Sequence, residues 1–451
     1  MVCPTFRSRL ALTAAMVLWM GWGCGDSKSK PLVPDAAIPV VGPDAEPCCA
    51  EPDAALAVDA AVADTTTTVT TTTATTTTTT STTLTVTDTG TTTGSLDCVI
   101  PAYLAAQPTP IGWANCTSAT VCADTTVTGG GAATPITVST LPELTAALAA
   151  TGPKVIYVKG TIAMNATAGQ AISISSNTTL IGCGATSVPA TNQGHLVGSI
   201  HISGSSNVVL RNLLIEGYNC TDKGPMTYLT GAFAGKPDCQ QGLDAVSVMN
   251  GAHNIWFDHV SIFDGSDGNL DITLQANYVT VSWTKFSYSA ARTDYTDKDT
   301  PDTGSAEPSG HRFSNLVGGD DNAPDSGTLN VTWHHNWWGQ NVLQRQPRVR
   351  FGKNHLFNNL YTSAGSSYCV GLGVSANIRM ENNIFGTGVN KPINTASYSN
   401  ASSILSATGS SPATLNVTYP AGATVFTPPY LFTLEDTATV QATIEASAGP
   451  K

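Results

Sequence analysis

The sequence is poor in charged residues and short of positive charge in particular. Only 12% of its 451 residues are charged, and 20 Lys and Arg stand against 32 Asp and Glu, which gives a formal net charge of −12. Nucleic-acid-binding proteins need a basic surface, so this balance argues against that class. The low charge, with abundant Gly, Thr, Ser and Asn, is typical of a secreted protein rich in strands and turns.

The apolar run near the amino terminus is too short to span a membrane as a helix. Residues 1–24 instead predict an export signal, in which Arg7 and Arg9 supply the positive start and Leu10–Gly23 the apolar stretch. Cys24 follows Gly23 as in a bacterial lipoprotein cleavage site, which favours a lipid anchor at Cys24, with ordinary cleavage nearby as the alternative. We therefore expect a secreted or surface-anchored protein, and a monomer.

Residues 25–95 lack the apolar content that a folded core requires. An Ala, Pro, Asp and Val stretch is followed by an almost pure Thr run from Thr65 to Thr93. This composition predicts a disordered spacer or stalk. Residues 96–451 have the composition of a folded domain.

None of the eleven cysteines has the spacing of a zinc site. Export makes disulfides plausible, and the pairs Cys220–Cys239 and Cys116–Cys122 would each close a loop. One of the remaining domain cysteines is then a free buried thiol or pairs with the tail, and the candidates are Cys98, Cys183 and Cys369.

Seven segments of alternating apolar and polar residues each begin with Asn, at Asn177, Asn207, Asn254, Asn277, Asn330, Asn354 and Asn377. Intervals of 23 and 24 residues recur among them, which is typical of stacked coils without crossover helices. The sequence predicts an all-β, right-handed parallel β-helix with a short amphipathic helix at Leu141–Ala150 and a carboxy-terminal extension with helical periodicity at Pro428–Gly449. Asn336, Asn359 and Asn383 occupy matching places and predict an internal amide ladder.

Two longer intervals, of 47 and 53 residues, interrupt this period and predict loops at Cys220–Cys239 and Ala291–Gly310. Insertions in a solenoid often lie on its binding face. The second loop is acidic and either holds a cation or is simply solvated.

The segment QRQPRVRFG (Gln344–Gly352) concentrates positive charge in a chain that has little of it. Arg345 and Arg350 are five residues apart, so they share a site only if the chain turns between them, and Pro347 is a suitable turn residue. Arginine forks bind carboxylates bidentately. The segment predicts a site for a carboxylate-bearing substrate, with an Arg-rich surface strand as the alternative.

A second cluster is acidic. Asp267 and Asp271 lie in DGSDGNLDI, and Asp244 precedes Asp267 by 23 residues, about one coil. Residues one period apart stack, so the three carboxylates are expected to converge, and a hard cation such as Ca²⁺ relieves their repulsion. Turn-forming Asp residues at coil ends are the alternative.

These segments, with NIWFDHVSI, VTWHHNWW and HLFNNLY, resemble the successive motifs of the pectate lyase family in content and order, from about Gly112 to Gly449. The resemblance implies a right-handed parallel β-helix that cleaves α-1,4-linked polygalacturonate by β-elimination to 4,5-unsaturated oligogalacturonides, with Ca²⁺ as cofactor. It implies Ca²⁺ binding by Asp244, Asp267 and Asp271, proton abstraction from C5 by Arg345, and binding of the substrate carboxylate by Arg350.

One family feature is missing. A substrate-binding Lys usually follows the YVTVSW strand; direct counting reaches Ala291 and Arg292, whereas treating Ala291–Gly310 as an insertion favours Arg312. The departure keeps open a non-catalytic β-helix that binds acidic glycans. A pectin lyase is a further alternative, against which the Asp cluster argues. Asp258 and His259 are interpreted as a structural pair.

Overall fold

The structure is a computed structural model. It describes residues 98–451 apart from 107–108, 117, 119–121, 123–125, 165–170, 185–191, 218–243, 266, 290–311, 323 and 397–401. The predicted export signal, the Thr-rich stretch, the Cys220–Cys239 pair and the acidic loop Ala291–Gly310 lie outside the described residues. In the part that is described, no helix has both the length and the apolar character needed to cross a membrane.

The described chain winds through three sheets whose strands pair in parallel with the previous and the next coil. Sheet A consists, in spatial order, of β1 (Ile136–Val138), β2 (Lys154–Val158), β5 (Thr178–Gly182), β8 (Ser206–Arg211), β11 (His253–Asp258), β14 (Asn277–Ser282), β17 (Val331–His334), β20 (Lys353–Phe357), β23 (Asn377–Glu381), β26 (Ile404–Thr408) and β27 (Thr418–Tyr419). Only the last pair, β26 with β27, is antiparallel there.

Two eight-stranded sheets complete each coil. Sheet B consists of β3 (Thr161–Ala163), β6 (His195–Val197), β9 (Leu214–Glu216), β12 (Ser261–Phe263), β15 (Lys285–Ser287), β18 (Trp337–Trp338), β21 (Leu360–Tyr361) and β24 (Ile384–Phe385). Sheet C consists of β4 (Ile172–Ser173), β7 (Ile200–Ser203), β10 (Val246–Met249), β13 (Leu270–Ile272), β16 (Asn315–Val317), β19 (Arg348–Val349), β22 (Val370–Leu372) and β25 (Ile393–Asn394). The parallel β-helix predicted from the repeat is confirmed.

Apolar residues at the same place in successive coils stack along the solenoid axis. One such row in sheet A is fully buried and runs through Leu210, Phe257, Val281, Trp333, Leu356 and Met380. Because alternate side chains of a strand face opposite sides, one apolar residue in two is enough to build this core. The residues between them face outward and are available for other roles.

The predicted amide ladder is confirmed. Asn336 donates from its backbone N and its Nδ2 to Asn359 Oδ1 at 2.9 and 3.1 Å, and Asn359 donates in the same way to Asn383 Oδ1 at 3.1 and 2.9 Å. All three side chains are fully buried. In each of these pairs, the side-chain oxygen of one Asn accepts hydrogen bonds from the Asn of the preceding coil, which fixes the register between coils.

Helices lie at both ends of the described chain, as α1 (Tyr103–Ala106), α2 (Leu141–Ala149) and α3 (Thr437–Ser447). Thr140 and Glu143 form a capping box at the start of α2, which matches the predicted helix to within one residue. The helix predicted within Pro428–Gly449 occupies only its second half, because the first half runs extended over sheet A. There the Tyr430 hydroxyl lies 2.7 Å from Thr332 Oγ1.

The first and last helical regions of the described chain meet on the solenoid. The Tyr103 hydroxyl and the backbone N of Lys451 both donate to Asn212 Oδ1, at 2.9 and 2.7 Å. Cys116 pairs with Cys122 as predicted and Cys98 pairs with Cys183, and among the described cysteines Cys369 is a free buried thiol.

The outer side of sheet A buries ionisable residues that are paired with each other. Arg211 donates from Nε and Nη2 to Asp258 Oδ2 at 2.8 and 2.5 Å, and His259 Nδ1 lies 3.1 Å from Asp258 Oδ1. His355 Nε2 lies 2.8 Å from Glu381 Oε2. The interpretation of Asp258 and His259 as a structural pair is confirmed, and we call these five residues the paired face.

Candidate active site

Two aspartates of the acidic cluster lie on neighbouring coils at sheet C. Asp271 lies in the middle of β13, between two core residues, so its side chain faces outward. Its Oδ1 accepts a hydrogen bond from the backbone N of Leu316 at 3.0 Å. Asp244 precedes β10, and its Oδ2 accepts from Ser247 Oγ at 2.9 Å.

The strand register corrects one detail of the predicted stacking. Val246 pairs with Leu270, an offset of 24 residues, and Ala245 N donates to Gly268 O. Gly268, not Asp267, therefore lies over Asp244. A Cβ on Gly268 would approach Asp244 Oδ1 to 2.9 Å and Asp271 Oδ1 to 3.0 Å, so the two oxygens are at most about 6 Å apart, by the sum of those distances.

The carboxylates repel each other in a buried setting. Burial, followed by the charges of Asp271 and Asp267, raises the pKa of Asp244 well above its usual range. Burial and the charge of Asp267 raise the pKa of Asp271 to about 7. A cation placed between these groups would relieve both effects.

The donor set fits a hard divalent cation at two of its three predicted ligands. Asp244 Oδ1 is buried and accepts no hydrogen bond, and it faces Asp271 Oδ1 across the space that Gly268 leaves. Within the described ranges no three His, Cys, Asp or Glu side chains are gathered closely enough to form a complete metal cluster. The negative charge of Asp267 acts on both Asp244 and Asp271. A bound Ca²⁺ ion commonly completes its coordination shell with oxygen atoms of water and of ligands.

Arg345 extends the cluster with positive charge. It lies before β19 in the left-handed region, at φ 60°, which costs a non-glycine residue on the order of 1 kcal/mol. Its backbone O accepts from Asn315 N at 2.7 Å. Its guanidinium carbon lies 4.4 Å from the centre of the Phe313 ring, and its charge favours the ionised forms of Asp244 and Asp271.

Two oxygen acceptors fix the side chain of Arg350. Its Nε donates to Asp321 Oδ1 and its Nη1 to Gly318 O, both at 2.8 Å, and the residue is 8% exposed. Its charge also favours the ionised form of Asp271. The turn expected at Pro347 therefore does bring both arginines to the side of the solenoid that carries the aspartates.

Arg312 has different surroundings. Its Nη1 donates to Asn341 O at 3.0 Å, and burial lowers the pKa of Arg312 while Tyr288 raises it. Neither partner belongs to the acidic cluster. The residue next to it, Phe313, is the one that contacts Arg345.

Comparison with known proteins is consistent with this geometry. A family model described as pectate lyase matches residues 60–451. The chain belongs to the pectate lyase family. It is 31% identical over 272 residues to a pectate trisaccharide-lyase of Thermotoga maritima and covers 60% of that protein, with 60% of its own length aligned. It is 32% identical over 322 residues to pectate lyase E of Dickeya chrysanthemi, aligning 62% of its own length and 68% of the relative.

Among solved structures, pectate lyase from Acidovorax avenae subsp. citrulli superposes with a TM-score of 0.56 at 21% identity, over 80% of this chain and 98% of that one. At this identity the likeness shows the fold alone. The chain spans about three-fifths of the length of the first curated relative, the Thermotoga protein.

Several residues that shape this pectate lyase family site were missed in the sequence. Gly268 leaves the space between the two carboxylates, Asp321 holds Arg350, and Phe313 lies against Arg345. Only Gly268 carried a signal, because it lies between two of the acidic residues. Phe313 and Asp321 follow an insertion, where strand register cannot be counted.

Proposed function

We propose that the protein is a Ca²⁺-dependent pectate lyase that cleaves α-1,4-polygalacturonate by β-elimination and releases 4,5-unsaturated oligogalacturonides. The observation that carries the proposal is that Asp244 Oδ1 and Asp271 Oδ1 face each other across Gly268, close enough to Arg345 for its charge to act on both. The names of the curated relatives support the substrate class.

Asp244 and Asp271 would hold the ion, with Asp267 completing the acidic set. Bound there, Ca²⁺ supplies positive charge to a uronate carboxylate, which makes the neighbouring C5 proton more acidic. The raised pKa values of Asp244 and Asp271 support this assignment, because burial and neighbouring carboxylates disfavour the charged forms that a bound cation would stabilise.

Arg345 is assigned to the proton at C5. The C5–H bond breaks as the proton moves to a guanidine nitrogen, the C4=C5 double bond forms, and the C4–O bond breaks with its electron pair on the leaving oxygen. That oxygen takes a proton from solvent. A guanidine with a pKa above about 12 must be neutral at the moment of transfer, and neighbouring positive charge favours that state.

Arg350 is assigned to the substrate carboxylate. Asp321 and Gly318 occupy its Nε and Nη1, which fixes the plane of the guanidinium. A fixed fork loses less conformational entropy when it binds a carboxylate, so it holds the sugar ring with C5 towards Arg345. The role predicted for Arg312 remains a prediction, and its contact with Asn341 does not add support.

The test is to mix the protein with polygalacturonate and Ca²⁺ and to follow the ultraviolet absorbance of the 4,5-unsaturated product. We expect the signal to appear with Ca²⁺ and to disappear with EDTA. Cleavage of fully methylated polymer without Ca²⁺ would instead identify a pectin lyase. Binding of polygalacturonate without any product would identify a non-catalytic glycan-binding protein.

A further inference from the structure

The site contains one buried aromatic ring among its charges. Phe313 is 6% exposed, and the guanidinium carbon of Arg345 lies 4.4 Å from the centre of its ring. A guanidinium at this distance over an aromatic face is attracted by the ring quadrupole. No role has yet been given to this contact.

The backbone fixes the ring and the arginine relative to each other. Phe313 forms a parallel bridge with Gln344, and Asn315 N donates to Arg345 O at 2.7 Å. The Tyr288 hydroxyl donates to Phe313 O at 2.6 Å. The ring and the guanidinium therefore sit on two adjacent chain segments that are joined on either side of the contact.

The two site arginines are held by different chemistry. Arg350 is held at its edge by two oxygens, one of them an anion. The ring of Phe313 contacts Arg345 through its plane. A contact with the face of a ring restricts where the guanidinium carbon can lie, and it differs in kind from the ion pair that holds Arg350.

We propose that Phe313 is a positioning residue for Arg345, whose ring holds the guanidinium in the place needed for proton transfer. Phe313 touches no reacting atom and acts only through Arg345. The catalytic part of this inference rests on the proposed lyase function. The physical contact between ring and guanidinium can be tested without that function.

The first experiment measures how fast each arginine reacts with phenylglyoxal, an arginine-selective dicarbonyl, by peptide mass mapping of the full chain. The variants are Phe313→Leu and Phe313→Met, which remove the ring, and Phe313→Tyr, which keeps it. Phe357→Leu is the matched control, because it removes a buried ring in sheet A. Arg350 is the internal reference in every sample.

We expect Phe313→Leu and Phe313→Met to increase the modification rate of Arg345 several-fold relative to Arg350, because the ring shields one face of the guanidinium. Phe313→Tyr and Phe357→Leu should leave the ratio of the two rates unchanged. An unchanged ratio in a folded ring-less variant overturns the inference. If one of the two ring-less variants fails to fold, the other decides.

The second experiment measures the kinetics of product formation with polygalacturonate and Ca²⁺. We expect Phe313→Leu to lower kcat by about tenfold, since misplacing a reacting group by about 1 Å costs up to about a hundredfold. KM should change by less than about twofold, because uniform binding is not touched. Phe313→Tyr should restore most of kcat.

The two failures can be told apart. If the wild-type protein forms no unsaturated product, the proposed function is wrong, and the modification rates still decide whether Phe313 holds Arg345. If the wild-type protein is active and Phe313→Leu raises KM with unchanged kcat, the positioning role is wrong and the proposed function stands.

Discussion

Sheets A and C both place charged side chains on their outer sides, and the two sets of charges are resolved in opposite ways. On the paired face, His259 and Arg211 lower the pKa of Asp258 although its burial raises it. At the acidic cluster of sheet C, burial and neighbouring carboxylates both raise the pKa of Asp244. The same solenoid thus contains one buried carboxylate whose charged form is stabilised by its neighbours, Asp258, and one whose charged form is destabilised, Asp244.

This difference separates structural charge from functional charge. A buried ion pair with its hydrogen bonds satisfied needs nothing more, and removing one partner costs stability. Buried carboxylates that repel one another are held together at the expense of stability, and groups perturbed in this way cluster at functional sites. Substitutions on the two sheets should therefore have opposite consequences for activity and stability.

The largest expected effect is on catalysis. Arg345→Lys should lower kcat by about a thousandfold, within the range for losing a general base, and should leave the melting temperature unchanged. Arg379→Lys is the matched control, because Arg379 makes a bidentate contact with Glu381 on sheet A. It should leave kcat unchanged. Equal losses of kcat in both variants would remove the distinction between the two sheets.

The next effect is on folding. Asp258→Asn leaves the buried guanidinium of Arg211 with a neutral partner and should lower the free energy of unfolding by about 3 kcal/mol. Asp271→Asn removes repulsion and should raise that free energy by about 1 kcal/mol in EDTA, the equivalent of about one pKa unit. Urea denaturation of both variants measures the contrast, and a shift of the same sign in both would contradict it.

Ca²⁺ should act on one sheet only. At a hundred times its dissociation constant, the ion should stabilise the wild-type protein by about 2.7 kcal/mol. The stabilisation should persist in Asp258→Asn and disappear in Asp271→Asn. Calorimetric melting with and without Ca²⁺ provides the measurement, and Ca²⁺ stabilisation of Asp271→Asn would show that the ion binds elsewhere.

The smallest effects concern pH. The pKa of Asp271 is raised to about 7, so protons compete with Ca²⁺ below that pH, and affinity should fall about tenfold per pH unit if one proton is displaced. Titration calorimetry between pH 5 and 8, about that pKa, measures this loss. An affinity that stays constant over this range would contradict the competition.

Glu381 should respond in the opposite way. Burial raises its pKa, but His355 and Arg379 lower it further, to about 2 from an ordinary 4.5. Its contribution to stability is therefore complete above about 4.5 and is lost as the pH falls towards about 2. Acid unfolding of Glu381→Gln against wild type measures it, and coincident curves would show that the pair contributes nothing.

Periodicity made the coil and its internal ladder predictable, since both repeat with the Asn residues. The convergence of Asp244 with Asp271 was also predictable to within one residue. The offset of 24 instead of 23 could not be seen, because coils of both lengths occur in the chain. A shift of one residue exchanges the inner and outer sides of a strand.

The same limit explains Arg312 and Phe313. Both follow an insertion of undefined register, and adjacent residues in an extended chain face opposite ways. Arg312 was selected from the sequence because the family resemblance called for a positively charged residue there. The structure puts the ring of Phe313 against Arg345, and the guanidinium of Arg312 against Asn341.

The meeting of Tyr103 and Lys451 at a single oxygen of Asn212 makes this domain suited to circular permutation. In a chain cut back to begin near Tyr103, a short bridge could join that end to Lys451, and the chain could be reopened at the exposed turn Ala364–Gly365, between β21 and β22. Every strand would keep its neighbours, while the order in which the coils leave the ribosome would change. Such a permutant would reveal whether the solenoid needs a particular end to nucleate its winding.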